Sequence, residues 1–355
     1  MKSAGSSRIC VVPFTQGVGG MVSFRYKLCT GLAARGIEVT HDLSDEPYQA
    51  VLVIGGTRQL GKLWHAHRQG IPVVQRLDGM NWLHRAAGTP RFSTGLRHYI
   101  RAEYGNALLS FIRRHLADRL VYQSKFVHDW WNRVYGTATS PCSIIYNGVD
   151  LDIYSPCGDT SRPEDRFRLL LVEGSLMGGY ELGLESAVHL AENLAGLLKD
   201  ANRRLPSQIE LMIVGRVADA IRRRWEQSTD IALKWIGVVE RERIPEIDRS
   251  AHLLYSSDIN AACPNSVIEA LACGLPVIGF ATGALPELVR GDAGRITAYG
   301  SDPWRLQPPD TLTLAKSALE ILEEQERFRI AARQLAEAEY GLDKMIEKYL
   351  EVLLG

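Results

Sequence analysis

The chain has 355 residues, 46% hydrophobic and 23% charged, with 41 basic and 41 acidic side chains and a formal net charge of zero. That composition suits a globular α/β protein of two domains and excludes a chain-wide nucleic-acid surface. No apolar run reaches the roughly 20 residues that span a bilayer, and six cysteines without C-x-x-C spacing argue against a disulfide framework or a zinc site.

Short apolar runs alternate with helical patterns, the mark of βαβ units and parallel sheets. Ile9–Pro13 reads as a first strand, followed by the turn Gly17-Val-Gly-Gly20, a helix from about Ser23 to Ala34, and a strand at Ile37–Thr40. Val51–Ile54, Val73–Arg76, Leu120–Gln123 and Ser143–Tyr146 are further buried strands. Asn147-Gly148 is a turn dipeptide. The polar stretch Asp150–Glu164, broken by Pro156 and Pro163, reads as a linker.

A second set of strands runs through Arg168–Val172, Glu210–Val214, Leu233–Ile236, Leu253–Tyr255 and Pro276–Phe280, and a last helix covers about Leu342–Leu354. Two doubly wound domains are expected, residues 1–155 and 165–338. Such sheets bind ligands outside the carboxyl ends of their strands, so a cleft between the domains is the default site. The N-terminal Ile9-Cys-Val-Val is too short for a signal-peptide core. A cytoplasmic protein is expected, its cysteines mostly small buried hydrophobes.

Cys263–Val289, CPNSVIEALACGLPVIGFATGALPELV, is the most informative segment. Asn265 or Ser266 is placed to cap a helix, Gly274 to end it in a left-handed turn, and Pro276 to stop it before a buried strand. Pro286 then opens a further helix. Glu269 falls on the first turn, and the free N–H groups of that turn suit an anion such as a diphosphate. Ser266-x-x-Glu269 also fits a capping box, in which Glu269 is structural.

The ALACGLPVIG and ALPELV runs resemble the signature of the retaining family-4 (group 1) glycosyltransferases. The resemblance implies the two-domain GT-B fold and transfer of a sugar from a nucleoside diphosphate sugar to a hydroxyl acceptor, whether glycan, lipid-linked or small molecule, with retained configuration. No metal or other cofactor is implied. Glu269 would hold the ribose hydroxyls, and the terminal helix near 342–355 would pack back on the first domain.

The same resemblance places Gly19 and Gly20 near the donor diphosphate or the acceptor, and Gly237 beside the nucleotide base. Asn265, Ser266 and Val267 would line the donor site. Arg76 and Asp78, at the end of a strand, are expected either to form a structural ion pair or to meet sugar or acceptor, with Asp78 where many relatives have histidine. Trp82, Ser124 and Lys125 are further candidate contacts. Trp82, Trp130 and Trp131 read by default as core residues, with stacking on sugar rings the alternative.

Two departures stand out. Where the family has arginine and, several residues on, lysine against the diphosphate, this chain has Ser175 in VEGSLMGGYELG. Each lost charge-assisted bond is worth on the order of 1.5–3 kcal/mol. Backbone N–H groups of Gly174, Ser175, Gly178 and Gly179, or the charges of Arg216, Arg241 or Arg243, are the available substitutes. Where the family has the first glutamate of its acidic pair, this chain has Ala261, with Asp258 and Asn260 nearby. These losses motivate an alternative, a non-catalytic GT-B homologue that binds glycan or supports a partner transferase. Finally, residues 91–119 interleave arginines with apolar residues, a pattern for either a solvated helix face or peripheral contact with the inner membrane face.

Overall fold

The computed structural model describes residues 7–17, 19–86, 94–176, 181–200 and 206–355. The candidates Gly178 and Gly179, and the arginine at position 91, lie outside them. The chain divides into two compact units, residues 1–148 with 342–355, and residues 149–341.

The first unit is built from β1 (Arg8–Val12), α1 (Gly20–Ala34), β2 (Glu38–Thr40), β3 (Ala50–Ile54), α2 (Leu60–Arg68), β4 (Val73–Leu77), α3 (Thr94–His115), β5 (Arg119–Tyr122), α4 (Lys125–Tyr135) and β6 (Cys142–Ile144). Its strands form one parallel sheet in the order β2-β1-β3-β4-β5-β6. β3 and β4 are buried at every position, as expected for strands covered by helices on both faces. One face packs Phe24, Leu28 and Leu32 of α1 against Ile9, Val11 and Leu52; the other packs Leu63, Ala66, Ile112 and Leu116 against Cys10, Val12 and Val51.

The second unit contains β7 (Phe167–Ser175), α5 (Glu181–Asp200), β8 (Ile209–Arg216), α6 (Asp219–Ser228), β9 (Ala232–Gly237), α7 (Ile244–Arg249), β10 (Leu253–Ser256), α8 (Asn265–Ala272), β11 (Val277–Phe280), α9 (Leu285–Leu288), β12 (Gly294–Thr297), α10 (Thr311–Glu323) and α11 (Gln325–Glu339). Its parallel order is β12-β11-β10-β7-β8-β9. The winding reverses between β7 and β10, the topological switch point at which such sheets open a crevice. In the first sheet the reversal falls between β1 and β3.

Several boundaries differ from the expectations. α1 starts at Gly20 rather than Ser23. β12 has no apolar run to announce it; it is an edge strand, and Gly294 has Val277 O so close that a Cβ would lie 1.9 Å from it. The stretch Asp150–Glu164 belongs to the second unit, which begins at Val149; Val149 N–H donates to Tyr340 O at 2.8 Å and bridges to Gly341. Cys142 and Cys157 are exposed, whereas Cys10, Cys263 and Cys273 are buried.

The last helix, α12 (Leu342–Leu354), returns to the first unit. Met345, Ile346, Tyr349 and Leu353 join the α1 face of its core, and Arg35, the C-cap of α1, pairs with Asp343 at 2.7 Å. Ile346 is fully buried against Gly31. Ile346→Ala should cost about 2–5 kcal/mol of stability, read as a lower denaturation midpoint; an unchanged midpoint would mean that α12 adds no burial.

Candidate functional site

The carboxyl ends of the second sheet gather most of the chemistry. α8 ends as expected: Gly274 is left-handed at φ 65°, with Gly274 N–H donating to Leu271 O at 3.0 Å and Leu275 N–H to Ala270 O at 2.8 Å. Its start differs. The N-cap is Pro264, and no side chain caps the helix. Asn265 and Ser266 are already helical, so neither caps and the Ser266–Glu269 capping box does not form. Glu269 is the fifth helical residue, one or two positions further in than a cap at Asn265 or Ser266 would place it. The first-turn N–H groups, including Asn265, Ser266 and Val267, lack side-chain acceptors from a cap, which leaves an anion-ready helix end.

Glu269 is buried at 8% exposure, and its surroundings are charged. Asp248 of α7 is buried close enough that burial, and then the Glu269 charge, push its carboxyl well above the ordinary range. Its Oδ2 finds no partner among the described residues. The Tyr154 phenol is raised by burial and then by Glu269 and Asp248, with Arg241 opposing them. Glu269 therefore sits among Tyr154, Asp248, Cys273 and the cation of Arg241.

At the switch point, Glu173 on β7 accepts from Ser257 Oγ at 3.1 Å, just past β10, and Asp258 lies next in the chain. Burial raises both carboxyls, and the Asp258 charge raises Glu173 further. A small cavity beside them is lined by Gly183, Ser186, Tyr255, Ser257, Asp258 and Thr282. This pair was not legible as a pair in the sequence: the residues lie at the ends of two apolar runs, but only the strand order makes those runs neighbours.

Ala261 is fixed from the other side. Ala284 N–H donates to Ala261 O at 2.8 Å, and Gly283, at φ 59°, lies so close that a Cβ would meet Ala261 N at 2.5 Å and O at 2.6 Å. Ser175 is exposed, and its register partner on β8 is Arg216, also exposed at that strand's carboxyl end. The cation nearest in register to the serine thus comes from the adjacent strand. Gly174 and Gly237 have open space where a Cβ would stand.

In the first unit, the outcomes divide. Gly19, at φ 141°, is the N-cap of α1, and the space beside Gly19 and Gly20 is open. Arg76 is buried at 1% exposure; it pairs with Asp78, donates to Asn147 Oδ1 at 3.0 Å, and lies 3.7 Å over the Phe24 ring. It supports Asp78 rather than meeting ligand itself, because none of its surface is free. Asp78 remains a quarter exposed, and Trp131 Nε1 donates to its carbonyl at 2.8 Å. Ser124 is fully buried as the N-cap of α4, accepting from Val127 N–H at 3.2 Å, which corrects its expected ligand contact. Lys125 pairs with Asp129 one turn on. Trp130 and Trp131 are core residues, while Trp82 is part-buried. Among the described residues, no group of three or more His, Cys, Asp or Glu side chains is arranged to hold a metal.

Residues 184–324 match the family described as Glycosyl transferases group 1. A D-inositol 3-phosphate glycosyltransferase of Catenulispora acidiphila is 27% identical over 252 residues, covering 68% of this chain and 57% of the relative. One from Streptomyces bingchenggensis is 28% identical over 199 residues, covering 53% and 43%. The chain spans about half the length of the curated relatives it matches. Sucrose-phosphate synthase from Thermosynechococcus elongatus superposes with a TM-score of 0.74 at 16% identity, covering 98% of each chain. WaaG, a glycosyltransferase involved in lipopolysaccharide biosynthesis, superposes at 0.69 with 17% identity, covering 98% and 100%. Anabaena HepE in complex with UDP-glucose superposes at 0.66 with 16% identity, covering 98% and 99%. The fold is the GT-B fold, and residues 184–324 of the second unit carry the match to the group 1 glycosyl transferases.

Because the fold binds the proton on Glu173 and Asp258 more tightly than the unfolded chain does, their protonated forms favour folding. That contribution is present below the ordinary carboxylate range and is lost as pH rises through the raised values. Relative to wild type, Glu173→Gln should match in stability near about pH 4 and gain across the neutral range. Equal pH dependence of the two melting temperatures would show that Glu173 is not held protonated.

Proposed function

We propose that the protein is a group 1 glycosyltransferase that moves a sugar from a nucleoside diphosphate sugar to a hydroxyl acceptor with retained configuration. The observation that carries the reading is the carboxyl end of the second sheet: an uncapped α8 start, with buried Glu269 one turn inside it, in the segment that matches the family. The helix start and Arg216, beside Ser175, take the diphosphate. Glu269 accepts from the ribose hydroxyls. Ser257 and Thr282 border the cavity next to them.

In a front-face displacement the sugar–phosphate bond breaks as the acceptor oxygen bonds to the same face. The departing diphosphate oxygen then takes the acceptor proton, so no protein base is needed. Asp78, oriented by buried Arg76, contacts sugar or acceptor in this reading. It accepts hydrogen bonds but, ionised, donates none. HepE was crystallised with UDP-glucose and the curated relatives are named for inositol 3-phosphate, so these are the first donor and acceptor to try.

The acceptor side includes a surface of α3. Leu96, Ile100, Tyr104 and Phe111 are about half exposed and recur at three- and four-residue steps with Ala107, forming one stripe. Arg97, Arg101 and Arg114 are exposed along the same helix, while its one acid in the described span, Glu103, is held by His84 and Arg85. An apolar stripe beside unopposed cations fits an anionic bilayer surface.

Turnover with a panel of nucleotide sugars should fall by about 10²-fold or more in Glu269→Ala. Equal turnover in both proteins would sink the role of Glu269, and no binding of any nucleoside diphosphate would favour a non-catalytic homologue. Sedimentation with vesicles should show binding to phosphatidylglycerol-containing membranes that Leu96→Ser/Ile100→Ser abolishes; undiminished binding would remove α3 as the contact.

A further inference from the structure

The amino ends of β7 and β10 hold a cluster that the reading above leaves unused. Arg168 is the second residue of β7, and His252 immediately precedes β10. Arg168 N–H donates to His252 Nδ1 at 2.9 Å, which leaves the imidazole proton on Nε2. Gln325 Nε2 donates to His252 O at 3.2 Å. Arg329 follows one turn later on the same face of α11, and its carbonyl lies 3.3 Å from where a Cβ of Gly274 would stand. Arg162 comes from the stretch preceding β7.

The charges here do not balance. Arg168 is matched by Glu210 at 2.5 Å and by Ser250 O at 3.1 Å. Arg162 and Arg329 make no ion pair or hydrogen bond with any described residue, and Arg329 Nη1 is buried without a partner. Burial, and then the charge of Arg162, lowers the Arg329 guanidinium to about 10. Burial also lowers Arg162, and burial followed by these three arginines holds His252 neutral. Glu326 is the one acid that acts on Arg162 and Arg329, and it does so from beyond ion-pair distance. Gln325 Oε1 is a buried acceptor with no partner. Two part-buried cations without a counter-charge are costly, since desolvation is uncompensated. An oxyanion would supply the missing charge, and one carrying a hydroxyl would also satisfy Gln325.

We propose that Arg162 and Arg329, with Gln325, form a phosphate-binding site at the amino edge of the second sheet, separate from the donor end. β7 spans nine residues, which puts the two ends about 25–30 Å apart. The site is not explained by donor recognition, and it borders the carboxyl terminus of α8, the helix whose other end carries the donor contacts.

Inorganic phosphate, titrated into the full chain in a buffer without other oxyanions, is the probe. One-site binding should appear by calorimetry, with the melting temperature rising by about 3–5 °C for each tenfold excess over the dissociation constant. Arg329→Met and Arg162→Gln should each weaken binding at least about tenfold, while Arg216→Gln should not. Without phosphate, Arg329→Met should melt no lower than wild type, because it removes an uncompensated charge. Phosphatidate vesicles that compete for the same binding would assign the phosphate to a lipid; failure to compete would assign a free phosphate. Binding that survives in Arg329→Met and Arg162→Gln, or that is lost only in Arg216→Gln, overturns the proposal, as does the absence of binding. Uridine diphosphate affinity, measured in the same variants, reads the donor end separately.

Discussion

The second sheet reverses its winding between β7 and β10, and the arrangement of that unit depends on this reversal. Helices that leave adjacent strands toward opposite faces cannot cover the gap between their carboxyl ends. Glu173, Ser257 and Asp258 meet in that gap, and α8 starts beside it. The interior on either side is a continuous apolar layer, from Leu169 and Leu171 to Ile278 and Phe280, so polar groups at this end are held by a rigid frame. Two half-buried carboxyls are tolerated there because Glu173, raised by burial and by the Asp258 charge, can keep its proton, and Ser257 satisfies one oxygen of the pair.

The departures from the family pattern take on a physical sense within this frame. A diphosphate needs positive charge, and Ser175 supplies none. Its register partner Arg216 brings a guanidinium to the same strand ends from β8. The carboxylate missing at Ala261 has no replacement at that position, since Gly283 and Ala284 grip the loop backbone. The acids that remain nearby, Glu173 and Asp258, are both pushed up by burial, Glu173 further by the Asp258 charge.

Charge is distributed unevenly between the two edges of this unit. The carboxyl edge has acids sheltered by burial, and the amino edge has the arginines Arg162 and Arg329 with Glu326 acting on them only from beyond ion-pair distance among the described residues. In the first unit the buried cations are matched: Arg76 by Asp78 and Asn147, and Arg113 by Tyr122, Asn132 and the Gly136 carbonyl. The contrast identifies the amino edge as an unusual feature of this molecule.

By itself the sequence determined the strands whose apolar runs are long enough to be buried, the Schellman turn at Gly274, and the position of Glu269 behind a helix start. These follow from local forces: burial periodicity, a left-handed glycine, and proline's fixed geometry. It did not reveal β12, whose Gly-Arg-Ile-Thr has no apolar period, nor that Pro264 would take the cap position from Asn265 and Ser266. Ser124 looked available because polarity in a sequence does not tell a buried cap from a free group, whereas the ion pair between Arg76 and Asp78 was one of two expectations. Only the tertiary structure decided that Glu173 faces Ser257 across 84 positions, that Ser175 has Arg216 as its neighbour, and that Arg329 Nη1 is buried without a partner among the described residues. Strand order and burial are set by the packing of the whole unit, and no local stretch of chain carries that information.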